Sequence, residues 1–356
     1  AYIAGYRIGM LAAGAGALFI ADVLGSGPAH YNFQAWQYTY FIMAALMMVG
    51  VLTTLLIPEP ETDASKNYQY ASRDYAGSFI VFLMAAAVFV CSFYFTANAA
   101  SFYKEALAGI FFNSHLAGFI VEFARLFIAV SGGVVTAYLF GLTRLVNREM
   151  IDDTYIAPAR DFFERYGLML AVLLLSLIGL YRISDIVLGV ISNLFYQDLG
   201  FTKTEIASIV KTFGLFMTIA GGFVGGVLSA RYGVIKILFV GALLAAVTNL
   251  LFMIMAKAGH NVFMLYVVIS ADNLAGGLAS AAFVAFLSSL TNIRFTAVQY
   301  AIFSSLMTLI PKIFGGYSGT IVDNLSYEAF FLITALIGVP VLVLIRLAGK
   351  YLEVEN

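Results

Sequence analysis

The sequence has little of what a soluble catalyst or a nucleic-acid binder needs. Charged residues make up only 11% of the 356 positions and the net charge is −1, so no bulk field points to nucleic acid or to an acidic partner. Cysteine occurs once, at Cys91 inside an apolar run, which excludes a disulfide framework and a thiolate metal cluster. Such a lone thiol is expected to serve packing. His30, His115 and His260 lie far apart in the chain, and no metal site and no cofactor are expected. There is no GxxxxGKS/T phosphate loop and no HExxH zinc motif, which argues against an ATP-driven pump and a metalloprotease within the chain. No basic stretch and no small-residue cleavage site mark the first apolar run, so it is not expected to be a signal peptide.

What is abundant is apolar: hydrophobic residues are 62% of the sequence. Runs of about 18 or more apolar residues read as membrane-spanning helices. Ten such spans are expected, at 2–24, 36–57, 78–99, 116–142, 168–190, 205–230, 234–256, 262–290, 295–320 and 328–347. The fold class is therefore an all-α membrane protein, and the lipid bilayer is its first partner.

The basic residues orient these spans. Lys66, Arg73, Arg144, Arg148, Arg160, Arg165, Arg231, Lys236, Arg294, Arg346 and Lys350 fall on one side, against Lys104, Lys203 and Lys257 on the other. Eleven against three is a positive-inside bias that places the C-terminus in the cytoplasm. Two polar stretches divide the chain. Residues 58–77 are a cytoplasmic linker with two prolines, and residues 143–167 are a second connector. The second reads first as a solvated connector. A short helix from Pro158 that lays Phe162 and Phe163 into the interface is its other reading. The expected organisation is then two helices in 1–57, the linker, two helices in 78–142, the connector, a six-helix block in 168–347, and a tail at 348–356.

Five basic residues lie inside spans: Arg7, Arg125, Arg182, Lys211 and Lys312. A charge in hydrocarbon costs a few kcal/mol or more, so it marks a pathway or a binding site unless neutralised in place. Arg182 and Asp185 are three apart and share a helix face, as do Glu122 and Arg125, for which a structural ion pair is the expectation. Counting from the outer ends, Asp185 lies roughly 8 Å deep, Lys211 roughly 9 Å, Lys312 roughly 12 Å and Asp272 roughly 15 Å. Four charged helices at these levels suggest one polar cavity. Arg182, Lys211 and Lys312 outnumber Asp185 and Asp272 in it, which favours an anionic solute. A carboxylate inside a membrane also carries protons in transporters. Arg7, about 25 Å from its outer end, either snorkels to the interface or joins this cavity. Gly221, Gly222, Gly225 and Gly226, and separately Gly315 and Gly319, are spaced for close helix contact. A membrane-embedded enzyme would need a paired nucleophile and base at an interface, and no convincing set exists. A receptor or scaffold reading fails because neither linker is long enough for a recognisable domain.

Several stretches taken in order resemble the muropeptide permease family of the major facilitator superfamily. They are Gly5-Tyr6-Arg7-Ile8-Gly9-Met10-Leu11, Ala157-Pro158-Ala159-Arg160-Asp161-Phe162-Phe163, Lys211-Thr212-Phe213-Gly214-Leu215, Asp272-Asn273-Leu274-Ala275-Gly276-Gly277 and Gln299-Tyr300-Ala301. Gly226-Val227-Leu228-Ser229-Ala230-Arg231-Tyr232-Gly233 resembles the superfamily's cytoplasmic loop signature, with Ala230 where aspartate is usual. The resemblance implies two six-helix halves in a bacterial inner membrane and proton-coupled import of anhydro-muropeptides, small anionic glycopeptides, by a monomer. With Arg182, Asp185 and Lys312 from the charge pattern, the expected pathway runs through Arg7, Lys211, Asp272, Asn273 and Gln299 of the resembling stretches, and the expected gating loop is Gly226, Arg231 and Gly233. Spans 78–99 and 116–142 look like accessory helices between the halves. The first four core helices are expected to be missing, so the 356 residues alone are expected not to transport. Another organic anion, such as an acyl-CoA or a sugar phosphate, is the alternative solute.

Overall fold

Long apolar runs leave the backbone no partner in lipid except itself, and these runs fold as helices. The computed structural model describes residues 5, 9–10, 12–26, 32–57, 70–111, 114–141, 143 and 147–354. Every regular element among them is helical. In chain order they are α1 (a π-helical turn Ala12–Gly16 running into Ala17–Val23), α2 (Phe33–Leu56), α3 (Ser72–Phe95), α4 (Ala97–Phe111) and α5 (Ser114–Gly141). Then come α6 (Arg148–Ile151, continued by the π turn Asp152–Ile156), α7 (Ala157–Leu180), α8 (Ile183–Asp198) and α9 (Lys203–Glu205, a π-helical stretch Ile206–Phe213, then Gly214–Tyr232). The chain finishes with α10 (Val234–Ala258), α11 (Val262–Leu290), α12 (Thr296–Gly315), α13 (Ser318–Leu325), α14 (Tyr327–Ile337) and α15 (Val339–Val354). Among the described residues, nine helical stretches are long and apolar enough to cross a membrane. The expected span at 2–24 lies partly outside the described residues.

Boundaries differ from expectation where tertiary contacts decide them. The span placed at 168–190 continues to Asp198 and is broken at Tyr181–Arg182 into α7 and α8. The connector's second half is the first part of α7, with Pro158 in the opening turn and a break at Gly167, whose φ of 65° suits a residue without Cβ. Phe162 enters the protein core, 5.3 Å from the Phe303 ring, instead of the lipid interface. Lys104 is not in a loop: the chain resumes as α4 after Thr96, and Lys104 Nζ meets Glu122 Oε1 at 2.6 Å. Residues 348–354, expected as tail, are the end of α15.

The hydrophobic core lies in the later helices, where Phe195, Phe252, Phe283, Phe330 and Phe331 are fully buried or nearly so. Glycine sets the α9–α11 contact. A Cβ on Gly221 would stand 2.2 Å from the Leu274 carbonyl oxygen, and one on Gly277 would stand 2.2 Å from that of Thr218. Backbones approach this closely only where side chains are absent. In the earlier pair, α3 and α5 pack where Gly133 faces the Ala85 carbonyl. Arg125 fastens that pair: it donates to both Glu122 oxygens, to Thr96 Oγ1 and to the Phe93 carbonyl. This is the structural ion pair expected at Glu122 and Arg125, enlarged by Lys104.

Candidate functional site: a polar cluster inside the helical bundle

The site starts from the break between α7 and α8. Tyr181 is buried there, stacked on Phe283 at 4.4 Å, and its hydroxyl donates toward the Leu238 carbonyl at 3.2 Å. Gly241 leaves room for it, since a Cβ at that position would meet Tyr181 Oη at 2.9 Å. The break turns Arg182 out of the helix and opens α8 one residue later. Arg182 Nη2 lies 3.2 Å from Asp185 Oδ2, and Nη1 donates to Ser280 Oγ at 3.0 Å. Asp185 occupies the first turn of α8, where unpaired backbone N–H groups favour a carboxylate. Both side chains are partly accessible, 24% and 20%, so the pair borders open space. Arg182 Nε has no hydrogen-bond partner among the described residues.

Neutral polar groups extend the cluster. Ser184 donates to the Thr334 carbonyl at 2.7 Å and accepts from Asn249 Nδ2 at 2.8 Å. Asn249 is buried and its Oδ1 has no partner among the described residues, a costly arrangement in a dry interior. Its neighbour Thr248 donates to the Ala245 carbonyl at 3.1 Å and lies 3.4 Å from Asp272 Oδ1. Asp272 lies on α11, as does Ser280, the hydrogen-bond partner of Arg182. α8, α10, α11 and α14 thus converge on one polar centre. With α8 running to Asp198, Asp185 lies ~20 Å from that end and Asp272 lies ~15 Å from the start of α11. Both levels are near the middle of a ~30 Å core.

The structure brings together Arg182, Asp185 and Asp272 and leaves the other candidates outside. Asn273 faces α9: it accepts from Thr218 Oγ1 at 2.8 Å and donates to the Ile269 carbonyl. Lys211 and Lys312 are exposed and make no ion pair with a carboxylate among the described residues. The surplus of positive charge expected from counting is therefore not in the connected cluster, which holds one cation and two carboxylates. Gln299 is buried at one end of the bundle. It donates to the Pro158 carbonyl at 2.8 Å and to Asp161 Oδ2 at 2.9 Å, and its oxygen accepts from the Asn292 N–H and from Arg165. Arg7 lies outside the described residues. In the loop signature, Gly233 has a φ of 93° and turns the chain from α9 to α10, Arg231 lies over the Tyr232 ring at 5.4 Å, and Gly226 faces open space.

Sequence reasoning missed the neutral members Thr248, Asn249, Ser280 and Thr334. A signal existed at Thr248-Asn249, a polar pair in the middle of an otherwise apolar span. Among the described residues, no three His, Cys, Asp or Glu side chains gather as a metal site would require. The cluster offers one ion pair and a second carboxylate among neutral polar groups.

Residues 173–354 match the Major Facilitator Superfamily model. The chain is 26% identical over 338 residues to the AmpG 4 transporter of Rickettsia conorii, covering 95% of this chain and 61% of that protein. It is 25% identical over 352 residues to the anhydromuropeptide permease of Escherichia coli K12, covering 99% of this chain and 53% of that one. Against the AmpG 1 transporter of Rickettsia bellii, identity is 35% over 201 residues, covering 56% of this chain and 49% of that protein. The chain thus spans between about half and three-fifths of the length of these relatives.

Proposed function

The chain belongs to the major facilitator superfamily, within its AmpG permease family, and from that premise we propose that it imports anhydro-muropeptides together with protons. The solute is N-acetylglucosamine-anhydro-N-acetylmuramic acid with or without its peptide, carried across the bacterial inner membrane for cell-wall recycling, with the C-terminus in the cytoplasm. The relatives carry the names of transporters and permeases, and the chain is not an enzyme.

One observation supports the proton role: near the bilayer midplane a network linking α8, α10 and α11 holds one arginine, Arg182, and two carboxylates, Asp185 and Asp272. Arg182 neutralises Asp185, and a proton on Asp272 would balance the second carboxylate. Removing that proton would leave a negative charge in the network, which links protonation to the packing of α8 against α10 and α11. The substrate role falls to the partly open Arg182 and to Lys211 and Lys312, cations whose exposure in a span is costly unless they face a water-filled path. Muropeptide carboxylates are their complement.

The test is uptake of radiolabelled anhydro-disaccharide into vesicles with an imposed pH gradient, by this chain joined to the four core helices it is expected to lack. Gradient-driven accumulation that is lost in Asp185→Asn and in Asp272→Asn supports the reading. Gradient-driven uptake at wild-type rates in both variants removes the proton role. Competition by an acyl-CoA or a sugar phosphate, but not by a muropeptide, would reassign the solute.

A further inference from the structure

Two consecutive residues of α10 connect the helices that carry the two carboxylates of the polar centre. Thr248 and Asn249 point about 100° apart around the helix, so they meet different neighbours. Thr248 Oγ1 lies 3.4 Å from Asp272 Oδ1 of α11. Asn249 Nδ2 donates at 2.8 Å to Ser184 Oγ in the first turn of α8, the residue before Asp185. Asn249 is 1% exposed, and its Oδ1 has no partner among the described residues. Leucine is of similar size and strands no acceptor, so packing alone does not account for an amide here. Ser184 does not require it as an acceptor either, since its hydroxyl already donates to the Thr334 carbonyl.

The Thr248 hydroxyl has one proton and two acceptors within reach, Asp272 Oδ1 and the Ala245 carbonyl at 3.1 Å. An ionised Asp272 can only accept, and it competes for that proton. A protonated Asp272 can donate to the hydroxyl oxygen, which leaves the hydroxyl proton to Ala245. In an α-helix the Ala245 carbonyl is also the acceptor for the N–H four residues on, that of Asn249. A hydroxyl bonded back onto a helix carbonyl bends the helix locally. The charge on Asp272 thus acts on the backbone at Asn249, and the Asn249 amide acts on α8 through Ser184.

We infer that Asn249 is a positioning residue: together with Thr248 it conveys the protonation state of Asp272 to the first turn of α8, where Asp185 meets Arg182. The inference rests on the proton role proposed above and names the residue that transmits it. Buried and without a titratable group, Asn249 acts through its neighbours. Arg182 reaches α11 separately through Ser280, so a change at Asn249 removes neither that contact nor the ion pair with Asp185.

The experiment takes the completed protein of the preceding test in vesicles and measures two rates with radiolabelled anhydro-disaccharide. One is accumulation driven by an imposed pH gradient. The other is exchange of labelled for unlabelled solute at equal concentration and equal pH on both sides. A merely structural defect lowers both together, so the ratio of accumulation to exchange reads the coupling. In Asn249→Leu this ratio should fall about tenfold. Thr248→Val, which removes the hydroxyl and keeps the shape, should lower it as well, while Thr248→Ser, which keeps the hydroxyl, should hold it near the wild-type value. If Asn249→Leu does not fold, the contrast between Thr248→Val and Thr248→Ser decides. A wild-type ratio in Asn249→Leu, or equal ratios in Thr248→Val and Thr248→Ser, overturns the relay and leaves the proton role standing. A wild type that exchanges solute without accumulating it under the gradient removes the proton role, and the relay with it.

Discussion

Arg182 Nη2 stands 3.2 Å from Asp185 Oδ2 across the opening turn of α8. The same guanidinium reaches Ser280 at 3.0 Å, so one side chain ties the α7–α8 break to α11. Removing one partner of a fully buried pair costs about 3–5 kcal/mol. With a fifth to a quarter of each side chain exposed, solvent reduces this to about 1–2 kcal/mol. Asp185→Asn should therefore lower the melting temperature in detergent. The double variant Arg182→Gln/Asp185→Asn should recover most of that loss, because no lone charge remains. Vesicle uptake should stay abolished in both. A double variant as unstable as the two single changes combined would mean that the pair is not coupled.

The glycines of α9 and α11 separate into packing and non-packing positions. Gly221→Ala and Gly277→Ala would each place Cβ 2.2 Å from a carbonyl oxygen of the facing helix, and backbone cannot yield as a side chain can. Such overpacking costs about 1–3 kcal/mol or more. Gly226→Ala meets nothing within 4 Å and should be neutral or stabilising by up to about 1 kcal/mol through helix propensity. Thermal unfolding of the three variants gives the order. Destabilisation by Gly226→Ala alone would reverse the assignment of the packed face.

Gln299 holds the end of the bundle together through partners on two segments: Pro158, Asp161 and Arg165 of α7, and the Asn292 backbone. Gln299→Leu keeps the bulk and strands these groups, a penalty of about 1–3 kcal/mol for each one left unsatisfied. A lowered melting temperature is expected. Gln299→Glu should be worse than Gln299→Leu, because it sets a second carboxylate against Asp161 and loses the amide donor. If Gln299→Glu is the more stable of the two, Asp161 does not accept from this side chain.

The spans and the intramembrane charges were legible because hydropathy is local: a run of apolar residues is helical in lipid whatever its neighbours. The break at Tyr181–Arg182 was not, since neither glycine nor proline marks it. It depends on the Tyr181 hydroxyl reaching the Leu238 carbonyl, a partner far along the chain. Gln299 was placed on the pathway through its family motif, and its actual role follows from Pro158 and Asp161, which spacing does not bring near it. The cations do not gather in the cluster for a related reason: the sequence shows neither the azimuth of Lys211 and Lys312 nor the extension of α8 to Asp198, which sets Asp185 ~20 Å from that end.

Glu205 offers a pH-dependent test outside the spans. Its carboxylate accepts from the Thr202 N–H and Thr202 Oγ1, both at 2.8 Å, and its own N–H donates back to that hydroxyl at 3.2 Å, a reciprocal cap at the start of α9. His260 lies 3.5 Å away. The hydrogen bonds from Thr202, first the backbone N–H and then the hydroxyl, with a smaller contribution from His260, hold the Glu205 carboxyl below its ordinary value. A group lowered in the folded state contributes stability that is present above the unfolded value, about 4.3, and is lost as pH falls through the folded one. Glu205→Gln keeps an oxygen acceptor and does not titrate. The wild type should therefore melt higher than Glu205→Gln at about pH 5, and the margin should shrink as pH falls below about 4. A margin that grows on acidification would mean that the cap favours the protonated carboxyl and that Thr202 is not its principal donor.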